Sequence, residues 1–225
     1  MDQANHETEG LDAVRRLRRL DACAVSDALD RLKMKGVIIG VPLQSGEGRI
    51  AGRVITVKLG NGVASGGPRH LGTTAVELAG PADIIVVEQH ANREAGSWGG
   101  LLSLGASVRG VAGVIVDGPV RDIDEARQLQ FPVFTRTLTA KTARGRIAEL
   151  GTNVPISFEG FTVRPGDYAI ADSSAVVFIA ASEIGRVLDA AEAIVAKEAA
   201  MANALRAGEP IGTVMDGNYE HMLRD

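Results

Sequence analysis

The sequence is poor in cysteine, in aromatic residues and in positive charge. Cys23 is the one cysteine among 225 residues, which excludes an internal disulfide and a Cys-His zinc cluster and predicts a buried, inert thiol. Aromatic residues make up 4% of the chain, so the core has to be built from Val, Ile, Leu and Ala. Lysine and arginine number 24 against 28 acidic residues. The resulting net charge of −4 argues against nucleic acid as the main partner, because phosphate binding needs a basic face.

Long apolar runs are also missing. No stretch approaches 18 apolar residues and the N-terminus lacks the apolar core of a signal peptide, so we expect no membrane span and a cytoplasmic protein. With 225 residues, of which 45% are hydrophobic, the chain is long enough to bury a large core. The polar residues 1–10 are expected to be a disordered tail, and residues 11–225 a single domain.

Short apolar runs alternate with helical patterns in the middle of the chain. Residues 80–135 predict a βαβαβ unit with partly parallel strands, the strands lying at 84–87, 113–116 and 132–135. The residues before this unit predict helices at 11–20 and from about Ser26, a loop at 36–48 and a strand at 49–59. The residues after it predict an antiparallel meander of short strands at 154–180 and a C-terminal helical arm at 182–207 with Ser182 as its N-cap. The fold class is therefore α/β, with N-terminal helices and a long C-terminal helix.

The most informative stretch is 114–122, Val-Ile-Val-Asp-Gly-Pro-Val-Arg-Asp. A buried strand ends there in an Asp-Gly turn, and Arg121 and Asp122 follow directly, at the kind of strand end where α/β proteins bind ligands. A guanidinium grips a carboxylate with two hydrogen bonds, and an aspartate can hold Mg²⁺ or Mn²⁺ through oxygen. The pair therefore suits a 2-oxo acid chelated to a metal. The plain alternative is Asp122 as a helix N-cap and Arg121 as a surface residue.

A pair of glycines, Gly99 and Gly100, stands between the preceding strand and the next helix. The N–H groups of such a helix start suit a carboxylate or an oxyanion, although a tight turn also explains the pair. Since both motifs follow successive strands, we expect them to face one cleft. Trp98 either forms a wall of this cleft or packs in the core. Glu88 and His90 follow the first of these strands and predict either a general base or a solvated loop.

These motifs resemble the RraA-like family. The resemblance rests on Gly99-Gly100-Leu101-Leu102, on Gly110 and on residues 113–122, with further matches at 25–30, 163–167 and 171–172, and it covers about residues 20–210. The family includes 4-hydroxy-4-methyl-2-oxoglutarate/4-carboxy-4-hydroxy-2-oxoadipate aldolases and regulators of ribonuclease E activity. It implies a layered β/β/α swivelling-type domain that assembles as a homotrimer or homohexamer with sites between subunits.

The resemblance also implies roles for individual residues. Arg121 would bind the substrate and take part in catalysis, Asp122 would hold Mg²⁺ or Mn²⁺, and a glutamate on a neighbouring subunit's C-terminal helix, best matched by Glu198, would assist. The substrate would also meet the backbone N–H groups of Gly99, Gly100, Leu101 and Leu102. The implied activity is that of a metal-dependent class II pyruvate aldolase acting on a 4-hydroxy-2-oxo diacid, with oxaloacetate decarboxylase activity. The alternative is a non-catalytic, protein-binding regulator of ribonuclease activity.

One position departs from the family pattern. Where Gly100 stands, the aldolases commonly carry an acidic residue that orients a metal-bound water, and glycine cannot do so. Either Glu88, Glu94 or Glu198 supplies the acid instead, or the substrate or reaction differs from that of the known aldolases.

Overall fold

The computed structural model describes residues 2–62 and 69–215, with the side chains of residues 2–7 left aside. The helices within these ranges are α1 Asp2–Leu17, α2 Ala22–Arg31, α3 Thr73–Leu78, α4 Gly100–Val108, α5 Ile123–Gln128, α6 Ile184–Arg206 and α7 Ile211–Val214. The strands are β1 Val37–Ile38, β2 Leu43–Ser45, β3 Ile50–Asn61, β4 Asp83–Gln89, β5 Gly113–Asp117, β6 Val133–Thr135, β7 Ile147–Thr152, β8 Ile156–Phe158, β9 Phe161–Val163, β10 Tyr168–Ala171 and β11 Val176–Ile179. No helix in the described ranges is both long and apolar enough to cross a membrane.

A mixed sheet of nine strands forms the centre of the fold. Its order is β1-β11-β10-β3-β4-β5-β6-β2, and β7 pairs with the far end of β3. The four middle strands, β3 to β6, are parallel, as the predicted βαβαβ unit requires. Every residue of β4 and β5 is buried, because parallel strands are covered on both faces.

The two faces of this sheet carry separate cores. Ile85 and Val116 point to the face covered by α3, α4 and α5, and Trp98 packs there with them. Ile84 and Val86 alternate with Ile85 along β4 and therefore point to the opposite face, where the β8–β9 hairpin adds a second, smaller sheet. The layers are thus β/β/α, as the resemblance implies. The helices α1, α2 and α6 pack together over the strands β10 and β11.

Several local predictions differ from the structure. Residues 2–10, expected to be disordered, belong to α1, whose apolar side packs against the sheet and α6. The stretch 36–48, expected to be a loop, contains β1 and β2, which form the two edges of the large sheet by pairing with β11 and β6. The meander is split, since β8 and β9 form a two-stranded sheet of their own within residues 2–62 and 69–215, while β10 joins β3 in the large sheet. Ser182 lies inside a 3-10 turn and caps nothing, because α6 begins at Ile184. Cys23 is exposed, not buried.

Candidate active site

Two loops at the carboxyl end of the sheet run side by side and bring the predicted motifs together. The loop after β4 and the loop after β5 continue the parallel pairing of their strands, with the Ser97 N–H donating to the Pro119 carbonyl at 2.8 Å and the Arg121 N–H to the Trp98 carbonyl at 3.0 Å. A Cβ added at Gly99 would lie 3.1 Å from Asp122 Oδ2. The expectation that both motifs face one cleft is therefore confirmed.

The start of α4 presents backbone donors to this cleft. The Gly100 N–H donates to Asp122 Oδ2 at 3.3 Å. The first N–H groups of a helix have no partner within the helix, and no acceptor is recorded in the described ranges for those of Leu101 and Leu102. These two donors are therefore free to bind an anion in the cleft.

A short hydrogen-bond chain holds the turn that precedes α4. The Trp98 indole N–H donates to Ser103 Oγ at 3.0 Å, and the Ser103 hydroxyl donates to the Gly99 carbonyl at 3.2 Å. Trp98 is 1% exposed, and it also lines the cleft. The tryptophan is therefore both a core residue and a wall of the site.

Arg121 and Asp122 contact each other directly. Arg121 Nε donates to both Asp122 oxygens, at 3.2 and 3.1 Å, and the two side chains are about one third exposed. Asp122 stands at the N-cap position of α5 with a φ of 56°, yet its side chain accepts no capping hydrogen bond. Its carboxylate is turned to Arg121 and Gly100 instead, so the plain N-cap alternative does not describe its bonding.

The cleft encloses about 430 Å³. Gly99, Gly100, Leu101, Leu102, Arg121 and Asp122 all contribute to its lining. Four further polar residues complete it, namely His70, Thr73, Thr142 and Arg144. They come from segments far away in the chain, and the nearest sequence signal for Arg144 is the basic stretch 141–146, Lys-Thr-Ala-Arg-Gly-Arg.

Asp122 offers a divalent ion one carboxylate on this wall. Within the ranges that the structure describes, no group of three or more His, Cys, Asp or Glu side chains is arranged to hold a metal. A single carboxylate that is one third exposed in a cleft of this size nevertheless fits Mg²⁺ or Mn²⁺, since Mg²⁺ keeps several waters and is usually held by one or two carboxylates together with its substrate.

None of the three glutamates considered as substitutes for an acid at position 100 lies in this cleft. Glu88 points to the hairpin face of the sheet, where it accepts from the Ser157 N–H at 2.7 Å and lies 3.5 Å from His90 Nδ1. Because it is 4% exposed, the solvated loop that the sequence suggests there is wrong for Glu88. Glu94 is paired with Lys141, whose hydrogen bond lowers the pKa of the glutamate.

Glu198 lies on α6, outside the cleft of its own chain. Burial raises the pKa of its carboxyl above the ordinary 4.5, and the nearby charges of Asp27 and Asp21 raise it further. Its predicted role at a neighbouring subunit's site stays a prediction.

Comparisons with known proteins show the family to which this chain belongs. Residues 22–178 match the model of the RraA-like family, Aldolase/RraA. A protein of Halalkalibacterium halodurans named "Putative 4-hydroxy-4-methyl-2-oxoglutarate aldolase" is 33% identical over 186 residues, 81% of this chain and 83% of that protein. DlpA of Legionella pneumophila is 25% identical over 88% of this chain, which spans only 32% of that protein's length.

A solved structure shares the fold. RraAS2 from Streptomyces coelicolor, an unusual member of the RNase ES inhibitor RraA protein family, superposes with a TM-score of 0.71 at 23% identity, over 83% of this chain and 93% of that one. At this level of identity the likeness concerns the fold alone.

Proposed function

Because the chain belongs to the RraA-like family, we propose that its cleft is the active site of a divalent-metal-dependent carbon–carbon lyase acting on a 4-hydroxy-2-oxo diacid. The observation that carries this proposal is the convergence of Arg121, Asp122 and the free N–H groups of α4 on one cavity. A cation, a carboxylate and backbone donors at one strand end are the groups that a chelated 2-oxo acid requires.

Each wall of the cleft has a distinct task in this proposal. Asp122 would hold Mg²⁺ or Mn²⁺, and an ion there would polarise the 2-oxo group and stabilise negative charge on its oxygen. Arg121 would pair with the substrate carboxylate through its Nη groups, for which no partner is recorded in the described ranges. Arg144 lines the same cleft with a side chain that has no recorded partner there, and it would pair with the second carboxylate of a diacid.

The bond changes follow from this arrangement. In retro-aldol cleavage the 4-hydroxyl gives its proton to water, a carbonyl forms at C4, and the bond between C3 and C4 breaks. The electron pair of that bond stays on the pyruvate fragment as an enolate, which takes a proton from water at C3 to give pyruvate. Arg121 and the N–H groups of Leu101 and Leu102 would stabilise the oxygen on which this charge develops. Decarboxylation of oxaloacetate also breaks the bond between C3 and C4, releases CO2 and leaves the same pyruvate enolate. We therefore propose it as a second activity.

Pyruvate release from oxaloacetate tests the proposal. We expect turnover that requires added Mg²⁺ or Mn²⁺, stops with chelator and exceeds a protein-free blank containing the same metal. Asp122→Ala should lower it by about 100-fold or more. Asp124→Asn removes the same negative charge from an exposed side chain two residues away, and it should leave the rate of pyruvate release unaltered. Full activity in Asp122→Ala, or no pyruvate from the wild type with any 2-oxo acid, would refute the mechanism.

We further propose that the chain forms a homotrimer or homohexamer. Leu101, Leu104 and Val108 repeat at helical spacing along α4, beside the cleft, and they are 84%, 44% and 79% exposed. An exposed apolar stripe of this kind is typical of a contact surface. Light scattering should give three or six times the 23.5 kDa mass of one chain, and a monomer would contradict this assembly.

A further inference from the structure

One peptide unit at the wall of the cleft is held at both ends. The Ala95 carbonyl accepts from Gln89 Nε2 at 3.0 Å, and the Gly96 N–H of the same unit donates to the Lys141 carbonyl at 2.9 Å. Gln89 is the last residue of β4 and is 0% exposed, whereas Gly96 lines the cleft. The Ala95–Gly96 peptide therefore connects the buried end of β4 with the loop that leads to Arg144.

The Gln89 side chain holds more of this loop than that one peptide. Its Nε2 also donates to the Ala91 carbonyl at 3.2 Å and to the Asn92 carbonyl at 2.9 Å. The amide cannot be turned over, because its oxygen would then face three carbonyl oxygens. In the described ranges the buried Oε1 has no recorded partner, and a Cβ added to Gly118 would stand 2.5 Å from it. The amide thus stands between the loop after β4 and the loop after β5.

The Arg121 side chain lies on glycines of the same loop. A Cβ added to Gly96 would stand 3.1 Å from Arg121 Cγ and 3.2 Å from the Lys141 carbonyl oxygen. A Cβ added to Gly99 would stand 3.2 Å from the same Arg121 Cγ. The methylene groups of Arg121 therefore pack on bare backbone, and the place of that backbone sets where the guanidinium reaches. A shift of the Ala95–Gly96 peptide would move Arg121 on one side and the loop after Lys141 on the other.

We propose that Gln89 is a positioning residue for the cleft, and that it sets Arg121 and Arg144 at the separation that the two carboxylates of a diacid require. The inference rests on the proposed function, in which each arginine binds one carboxylate. Gln89 is fully buried and acts only through the Ala95–Gly96 peptide. A group held in place before the ligand arrives loses less freedom on binding, and a displacement of about 1 Å can weaken a site by up to 100-fold. Because both arginines depend on this peptide, its displacement should weaken the binding of a diacid more than that of a monoacid.

Binding of two uncleavable 2-oxo acids tests this role. 2-Oxoglutarate has two carboxylates but no 4-hydroxyl, so it cannot undergo retro-aldol cleavage, and pyruvate has one carboxylate. Titration calorimetry of the full chain with Mg²⁺ gives a Kd for each, and the wild type should prefer 2-oxoglutarate. Gln89→Met has a similar length but no donor, so it should raise the Kd for 2-oxoglutarate by about 10-fold or more. The ratio of the Kd for pyruvate to that for 2-oxoglutarate should fall by about 5-fold or more.

Two further variants separate positioning from simple loss of stability. Gln89→Asn keeps an amide but withdraws it by one methylene group from the three carbonyls, so it should lower the same ratio and decides the matter if Gln89→Met does not fold. Gly36→Ala is the matched control, because its Cβ would stand 2.2 Å from a backbone oxygen of β11, outside the cleft. It should lower the Tm and leave both Kd values within about twofold of the wild type.

The possible results are distinguishable. A ratio within about twofold of the wild type in the folded Gln89 variants would overturn the inference, and so would an equal loss in Gly36→Ala, since instability alone would then explain it. A wild type that binds 2-oxoglutarate no better than pyruvate would overturn it as well, whatever the turnover. A preference that the wild type has and the Gln89 variants lack, in a protein that cleaves no 2-oxo acid, would uphold the positioning role and refute the proposed reaction instead.

Discussion

Ser103→Ala removes the acceptor of a buried indole N–H at the base of the cleft. Trp98 is 1% exposed and its N–H has one recorded acceptor, Ser103 Oγ at 3.0 Å. A buried donor left unsatisfied costs about 1–3 kcal/mol. For a chain of this size we therefore expect the Tm to fall by about 2–12 °C. Since the same hydroxyl donates to the Gly99 carbonyl, the turn before α4 should also loosen.

A double-mutant cycle isolates this effect from simple loss of packing. Trp98→Phe removes the donor, so Ser103→Ala should cost less in that background, with a coupling of about 1 kcal/mol in the free energy of unfolding. Urea denaturation of the four proteins at one pH measures it. Costs that add to within about 0.3 kcal/mol would refute the reasoning, as would a Ser103→Ala protein as stable as the wild type.

Four further substitutions have effects that follow from packing and charge. Burial raises the pKa of Asp27 above 3.8, so the ionised carboxylate destabilises the folded protein at neutral pH. Asp27→Asn should therefore raise the Tm at pH 7, and this gain should vanish as the pH falls below 3.8. The hydrogen bond from Arg16 lowers the pKa of Glu192 below 4.5, so the stability lost in Arg16→Gln should be largest near pH 7 and should disappear on acidification through that lowered pKa. A Cβ at Gly36 would stand 2.2 Å from a backbone oxygen of β11, so Gly36→Ala should destabilise the protein by about 1–3 kcal/mol. No atom lies within 4 Å of a Cβ added at Gly185 in α6, so Gly185→Ala should stabilise it by about 0.5–1 kcal/mol. Thermal melts check both changes.

The parallel centre of the fold could be predicted because its signals are local. The runs in β4 and β5 are apolar at every position, and their strand ends must meet once the strands are parallel. Because Gly99 follows β4 and Asp122 follows β5, the meeting of these strand ends is enough to predict that the two residues lie close together. The edge strands β2 and β7 could not be predicted in the same way, because they pair with β6 and β3 through residues about 90 positions distant in the chain.

Arg144 illustrates a different limit. Its loop reaches the cleft only through tertiary contacts such as the hydrogen bond from the Gly96 N–H to the Lys141 carbonyl. Nothing local in the sequence connects Arg144 to the motifs that follow β4 and β5, so it could not be predicted as a residue of the cleft.

The most direct test of the central claim is pyruvate formation from 4-hydroxy-4-methyl-2-oxoglutarate by chelator-treated protein, measured before and after Mg²⁺ is added back. The account predicts no pyruvate before the addition, steady turnover after it, and loss of that turnover in Asp122→Ala. Pyruvate formed at the same rate without Mg²⁺, or by Asp122→Ala as fast as by the wild type, would contradict it.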